Sequence, residues 1–239
     1  MPKNSGAAAP PGVDLVVFDC DGVLVDSEVL ACRAVADTLA AFGYAIGVEN
    51  IAERFIGVSN RDMYAALAVD TGGVLPEGFD AAMKRCALEL FERELKAIAG
   101  LDTVLPRLAI AKCVASSSLP DDLVWKLRRT DLLRWFPPIA IFSTALVARG
   151  KPAPDIFLHA AVAMGSSPER SIAIEDSAPG VAAAKAAGMA TFGFTGGSHC
   201  RPGHEAHLKS AGADLVFADM RELPGLIAAR DQAVSGKRP

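Results

Sequence analysis

The stretch Val13–Gly22, VDLVVFDCDG, decides the reading of this chain. Its apolar, β-branched run stops at Asp19, Cys20, Asp21 and Gly22. A strand covered on both faces shows no polar alternation, so this run reads as a buried strand of a parallel sheet. Similar runs recur at Lys112–Ser116, Ile139–Ser143, Ser171–Glu175, Ala190–Phe194 and Asp214–Phe217. Helical periodicity fills Asp121–Arg129, Pro154–Met164 and Pro179–Ala187, with Gly165 and Gly188 as stops. Strands alternating with helices predict an α/β fold, a doubly wound parallel sheet with helices on both faces.

One region breaks the rhythm. From the first strand to Lys112 there is helical periodicity and no strand: an amphipathic segment at Ser27–Phe42, one or two helices in Glu49–Val69, and another at Ala81–Ile98. Asp26 or Ser27 stands where a cap of the first is expected. A βα connection in a compact domain is far shorter. The expected organisation is therefore a core of 13–25 and 98–230, an inserted all-helical cap of 26–97, and disordered tails at 1–12 and 231–239.

Half of the 239 residues are hydrophobic and 22% are charged, the balance of a globular chain with a real core. The net charge of −4 offers no general attraction to nucleic acid or an anionic membrane surface. No apolar run has the length of a membrane span, and the N-terminal residues lack the pattern of a secretory signal. Five cysteines without paired spacing fit a reducing, cytoplasmic setting.

Ligands of open parallel sheets bind beyond the carboxyl ends of the strands. Those ends carry Asp19 and Asp21 after the first strand, Ser116 and Ser117 after the second, Lys151 beyond the third, and Glu175 with Asp176 after the fourth. So many carboxylates at one edge need a cation. Asp19, Glu175 and Asp176 suit a hard divalent ion such as Mg²⁺. Lys151 supplies a point charge to a phosphate, and Ser116 with the following N–H can bind a phosphate oxygen. Asp19 is the candidate nucleophile, forming an acyl phosphate, and Asp21 the candidate general acid and base. Cys20 points away and reads as packing. Gly22 reads as the turn into the cap.

FDCDGVLVDSE (Phe18–Glu28) resembles the first motif of the haloacid dehalogenase superfamily, in its helical-cap branch. VASSS (Val114–Ser118), GKPAPDIF (Gly150–Phe157) and IAIEDSAPG (Ile172–Gly180) resemble the second, third and fourth motifs, in order. The resemblance implies a Rossmann-like core, Mg²⁺, and the backbone carbonyl of Asp21 as a further metal ligand. It points to phosphosugar and sugar-acid phosphatases and to sugar-phosphate mutases of the β-phosphoglucomutase kind. The mutases usually carry a His where this chain has Ala31, and an Arg where it has Asn60 followed by Arg61. The expectation is therefore a phosphatase of a small phosphorylated metabolite, monomeric by default. A mutase is the alternative, and a non-catalytic binding protein on the same fold is the weakest reading.

In the cap, Phe55–Arg61 (FIGVSNR) reads as a loop facing the site, with Arg61 as a candidate substrate contact. Arg54 and Lys84 read as solvated surface, and Ser118 as a cap of the helix that starts at Pro120. Trp125 and Trp135 are expected in the core, and His159 half-buried on its helix. Thr195–His207 holds three of the four histidines and Cys200. It matches no zinc spacing and reads as a surface loop near the edge of the core.

Overall fold

Burial on both faces explains why β1 (Leu15–Phe18) carries no polar residue. Val16 and Phe18 pack into one cluster with Val114, Ile172 and Phe192, while Leu15 and Val17 pack into another with Cys113, Ala115 and Ala173. In this computed structural model, which describes residues 12–58 and 60–235, β1 is an inner strand of a six-stranded sheet. The others are β2 (Ala111–Ser116), β3 (Ile141–Ser143), β4 (Ser171–Glu175), β5 (Ala190–Phe194) and β6 (Leu215–Phe217). Their order is β3-β2-β1-β4-β5-β6, and every pairing is parallel. The order reverses at β1, the topological switch point where such sheets open a crevice. The doubly wound, Rossmann-like expectation is met. The expected third strand starts late, because Pro138–Ala140 forms a 3₁₀ turn first.

The inserted segment carries α1 (Glu28–Ala41), α2 (Val48–Phe55), α3 (Asn60–Asp70) and α4 (Phe79–Glu94). It has its own core, in which Val35, Leu39, Ile51, Phe55, Leu67 and Phe79 are buried together. The main domain continues with α5 (Leu101–Val104), α6 (Pro120–Arg129), α7 (Asp155–Ala163), α8 (Ala178–Ala186), α9 (His204–Ser210) and α10 (Leu223–Ser235). Helices α7 and α8 cover one face of the sheet, and α5, α6 and α10 the other. Two strands of chain join cap to core side by side. Ile98 N donates to Leu24 O, Asp26 N donates to Lys96 O, and Val25 bridges Ala97.

Several boundaries differ from expectation. Helix α4 ends at Glu94 rather than Ile98, because the residues after it turn extended to pair with Leu24–Asp26. Neither Asp26 nor Ser27 caps α1 through its side chain: Asp26 accepts hydrogen bonds from Ser198, and Ser27 donates to Asp21. The expected C-terminal tail is helical as far as Ser235, and the Asp231 carboxylate is tied to Val13 N at 2.8 Å. The expected N-terminal tail lies, apart from Gly12, outside the described residues. His159 is exposed rather than half-buried, with its ring edge-on to Phe142. Both tryptophans are half-buried against the main cluster. No helix is long and apolar enough to cross a membrane among the described residues, and all five cysteines are unpaired.

Candidate active site

Register places the first carboxylates together. Phe18 pairs with Ile174 of β4 and with Val114 of β2, so Asp19 leaves the sheet level with Glu175 on one side and Ala115 on the other. Asp19 N donates to Ile174 O at 3.0 Å, which holds the chain in that register one residue beyond the strand. Lys151, from the loop between β3 and α7, reaches into the gap. Its Nζ lies 2.6 Å from Asp19 Oδ1, 2.6 Å from Glu175 Oε1 and 2.9 Å from the Ala115 carbonyl. Asp19, Glu175, Asp176 and Lys151 are all nearly enclosed, with Glu175 fully so.

Three buried carboxyls facing one ammonium leave a negative excess. Burial pushes the Asp19, Glu175 and Asp176 carboxyls up, and Lys151 only partly opposes it; their mutual repulsion adds to the rise. Burial pulls the Lys151 ammonium down, but the charges of Asp19 and Glu175 outweigh it and keep the ammonium protonated. One oxygen from each of Asp19, Glu175 and Asp176 can be chosen so that all lie within 4.8 Å of one another. Hard oxygen donors, clustered and short of positive charge, fit a divalent cation such as Mg²⁺.

Asp21 lives in a different environment. Its Oδ1 accepts from Lys126 Nζ at 2.6 Å and from Ser27, and its Oδ2 accepts from Ser118 Oγ at 2.7 Å. Burial pushes its carboxyl up, but Lys126 and these hydrogen bonds more than cancel that and hold it below the usual range. The two aspartates two residues apart are thus driven in opposite directions, each beside its own lysine. Cys20 between them is fully buried, as expected, and burial pushes its thiol well up.

The turn after Asp21 requires glycine. Gly22 has φ +77°, and a Cβ there would stand 1.8 Å from Asp176 Oδ2. Gly180 is crowded in the same way by the Glu175 carboxylate, close to the start of α8, where Ser177 caps the helix by accepting from Gly180 N.

Ser116 is fully buried at the end of β2, and its Oγ accepts from Ser118 N at 3.0 Å, while Ser117 is exposed. Ser118 does not cap α6; Leu119 occupies the cap position and Ser118 turns to Asp21 instead. In the cap, Gly57 approaches the core next to Asp176: a Cβ on it would stand 4.0 Å from Ser177 Cβ. Arg61 is exposed on the first turn of α3. Arg54 pairs with Asp70 and Lys84 with Asp80.

Sequence reasoning missed Lys126, Glu28 and His199. Glu28, half-buried on the first turn of α1, has its carboxyl pushed up to about 8 by burial and by the negative charges of Asp176 and Asp21. The Thr195–His207 segment is no plain surface loop. His204–His207 belongs to α9, and His199 is buried with Nε2 3.0 Å from Asp176 Oδ2. The only signal in the sequence was the local density of histidines.

Residues 13–188 match the family model described as haloacid dehalogenase-like hydrolase. A 6-phosphogluconate phosphatase of Escherichia coli K12 is 32% identical over 91% of this chain and 96% of its own length. Among solved structures, a haloacid dehalogenase-like protein of unknown function from Agrobacterium tumefaciens superposes with a TM-score of 0.83. It is 40% identical over 92% of this chain and 99% of that one. A haloacid dehalogenase-family hydrolase from Deinococcus radiodurans, solved with bound phosphate and sodium, gives 0.78 at 32% identity over 92% and 97%. With the matched family, the related phosphatase and a sheet of the same kind all in agreement, the chain belongs to the haloacid dehalogenase-like hydrolases and is a phosphoric monoester hydrolase.

Proposed function

We propose that this enzyme hydrolyses the phosphate ester of a small sugar, sugar acid or polyol, with Mg²⁺, through an aspartyl-phosphate on Asp19. The observation that carries the reading is the contrast between the two aspartates: Asp19 in a carboxylate cluster around Lys151, and Asp21 two residues on, set apart by Lys126. The named activity of the E. coli relative supports the substrate class.

An Asp19 carboxylate oxygen attacks phosphorus while the ester P–O bond breaks, and Asp21, which must first take up a proton from water because Lys126 favours its carboxylate form, gives that proton to the leaving alcohol oxygen. Water then attacks the acyl phosphate, Asp21 takes its proton, and the Asp19 carboxylate is restored as phosphate leaves. Lys151 anchors Asp19 Oδ1 and places positive charge beside the transferred group. Asp19, the Asp21 carbonyl, Glu175 and Asp176 are the residues that would hold Mg²⁺. When bound, the ion neutralises the cluster and draws charge from a phosphate oxygen. Ser116, Ser117 and the turn at Gly22 are proposed for the phosphate, and Arg61 for the far end of the substrate. The cap, whose Gly57 loop stands over Ser177, is suited to exclude water and choose the alcohol.

The test is phosphate release from a panel of phosphorylated sugars, sugar acids and polyols with Mg²⁺, alongside EDTA and Asp19→Asn controls. Release from a few related compounds, abolished in both controls, is expected. Equal release by Asp19→Asn would remove the aspartyl-phosphate. Interconversion of hexose phosphates without net release would make the enzyme a mutase.

A further inference from the structure

The segment after β5 folds back over the carboxylate cluster and is held there at both ends. Ser198 donates through N and Oγ to Asp26 Oδ1, at 3.0 and 2.8 Å, beside the strands that join cap to core. At the start of α9, His204 Nε2 meets the Asp176 carbonyl at 2.7 Å. Between these anchors the His199 side chain is completely enclosed, with its ring edge-on to His204 and Nε2 3.0 Å from Asp176 Oδ2.

Space for this ring is reserved by two glycines. A Cβ on Gly22 would stand 2.9 Å from His199 Cε1, and one on Gly197 would stand 2.7 Å from Cε1 and Nδ1. His199 Nδ1 is buried without a hydrogen-bond partner. An orphaned buried nitrogen opposes folding, and an apolar side chain in the same space would avoid it. The ring is therefore poorly explained as packing and well explained by what its other nitrogen touches. A carboxylate oxygen accepts, so Nε2, 3.0 Å from Asp176 Oδ2, carries the hydrogen and donates it, with Cys200 Sγ 3.3 Å from the same nitrogen.

Resting on the Mg²⁺ reading above, we infer that His199 is a positioning residue: it donates Nε2–H to Asp176 Oδ2 and so fixes the orientation in which Asp176 meets the cation. Partners that orient metal ligands in this way typically change metal affinity about 10- to 100-fold when removed. The link from His199 through Ser198 to Asp26 also ties that carboxylate to the junction of cap and core.

The experiment is Mg²⁺ titration by calorimetry on the purified full chain, in the wild type and in His199→Gln, His199→Asn and His199→Leu. Melting temperatures without metal, and activity at saturating Mg²⁺, are measured on the same samples. Gln can place an amide N–H where Nε2 stands; Asn stops near Nδ1; Leu fills the space without a donor. The expected result is near-wild-type Mg²⁺ affinity in Gln and affinity about 10- to 100-fold weaker in Asn and Leu. Turnover in the weakened variants should largely return when Mg²⁺ is raised. Affinity unchanged in all three variants would overturn the inference, as would losses that follow melting temperature rather than the presence of the donor. If the wild type itself binds no Mg²⁺, the metal reading falls first and this inference with it.

Discussion

Lys126 on α6 and Asp21 in the turn after β1 form an ion pair, Nζ to Oδ1 2.6 Å, across 105 residues of sequence. Both side chains are largely enclosed, and Lys126 also lies 5.6 Å from the centre of the Phe91 ring of α4. The pair thus connects the proposed proton donor of the core to the edge of the cap.

Removing that cation should act on stability and on catalysis in opposite pH ranges. The folded Asp21 carboxyl sits below its ordinary value, so its contribution is present above the unfolded pKa and lost as pH falls through the folded one. Lys126→Met should cost about 3 kcal/mol at neutral pH, and the gap should narrow in acid. Without Lys126, burial acts on Asp21 with less opposition. The limb of the kcat/KM profile that reports Asp21 should move to higher pH. Denaturation at several pH values and a pH–rate profile test both; a profile that does not move would separate Lys126 from the proton transfer.

Metal and protons compete for the cluster. The Asp176 and Glu175 carboxyls are raised by burial, so the folded state holds protons that the unfolded state has already lost. This contribution to the metal-free protein is complete below the unfolded values near about 4 and is lost as pH rises through the raised folded ones. Mg²⁺ takes the place of those protons. The rise in Tm on adding Mg²⁺ should therefore grow with pH, read by thermal melts with Mg²⁺ and with EDTA. An increment independent of pH would contradict this account of the cluster.

Gly22→Ala puts a methyl group where Asp176 Oδ2 and His199 stand and forces a side chain onto φ +77°. A loss of more than about 1 kcal/mol is expected from the backbone alone. Activity should fall further than stability, because the displaced atoms belong to the carboxylate cluster. Denaturant melts beside phosphatase assays make the comparison, and full activity in a folded variant would mean that the turn has room the geometry does not suggest.

Glu28 has its folded carboxyl raised to about 8. Its contribution is complete below the unfolded value and is lost progressively up to about 8, by at most about 1.4 kcal/mol for each pH unit between them. Glu28→Gln, which cannot ionise, should be more stable than the wild type at alkaline pH in EDTA, with the advantage vanishing in acid. Melts of the two proteins across pH decide it; a constant difference would mean that folding leaves the Glu28 pKa unchanged.

The chain order of strands and helices was legible because it depends on local patterning. Largely apolar runs mark β1, β4 and β5, whose residues are buried on both faces. The place of the main carboxylates was legible too: Asp19, Glu175 and Asp176 each follow a run of that kind, and parallel pairing brings strand ends to one edge. Other groups depend on contacts that no periodicity encodes. Ser27, Ser118 and Lys126 converge on Asp21, and His199 reaches Asp176 from a loop after the next strand. Ser27 and Ser118 stood where helix caps are expected, and a hydroxyl in such a place can turn either to a backbone N–H or to a nearby carboxylate. The sequence by itself determined which chemistry gathers at the sheet edge, since strand ends are local features. Only the tertiary structure decided which lysine, hydroxyl and imidazole serve each carboxylate, because burial and distance exist only once separate elements have packed.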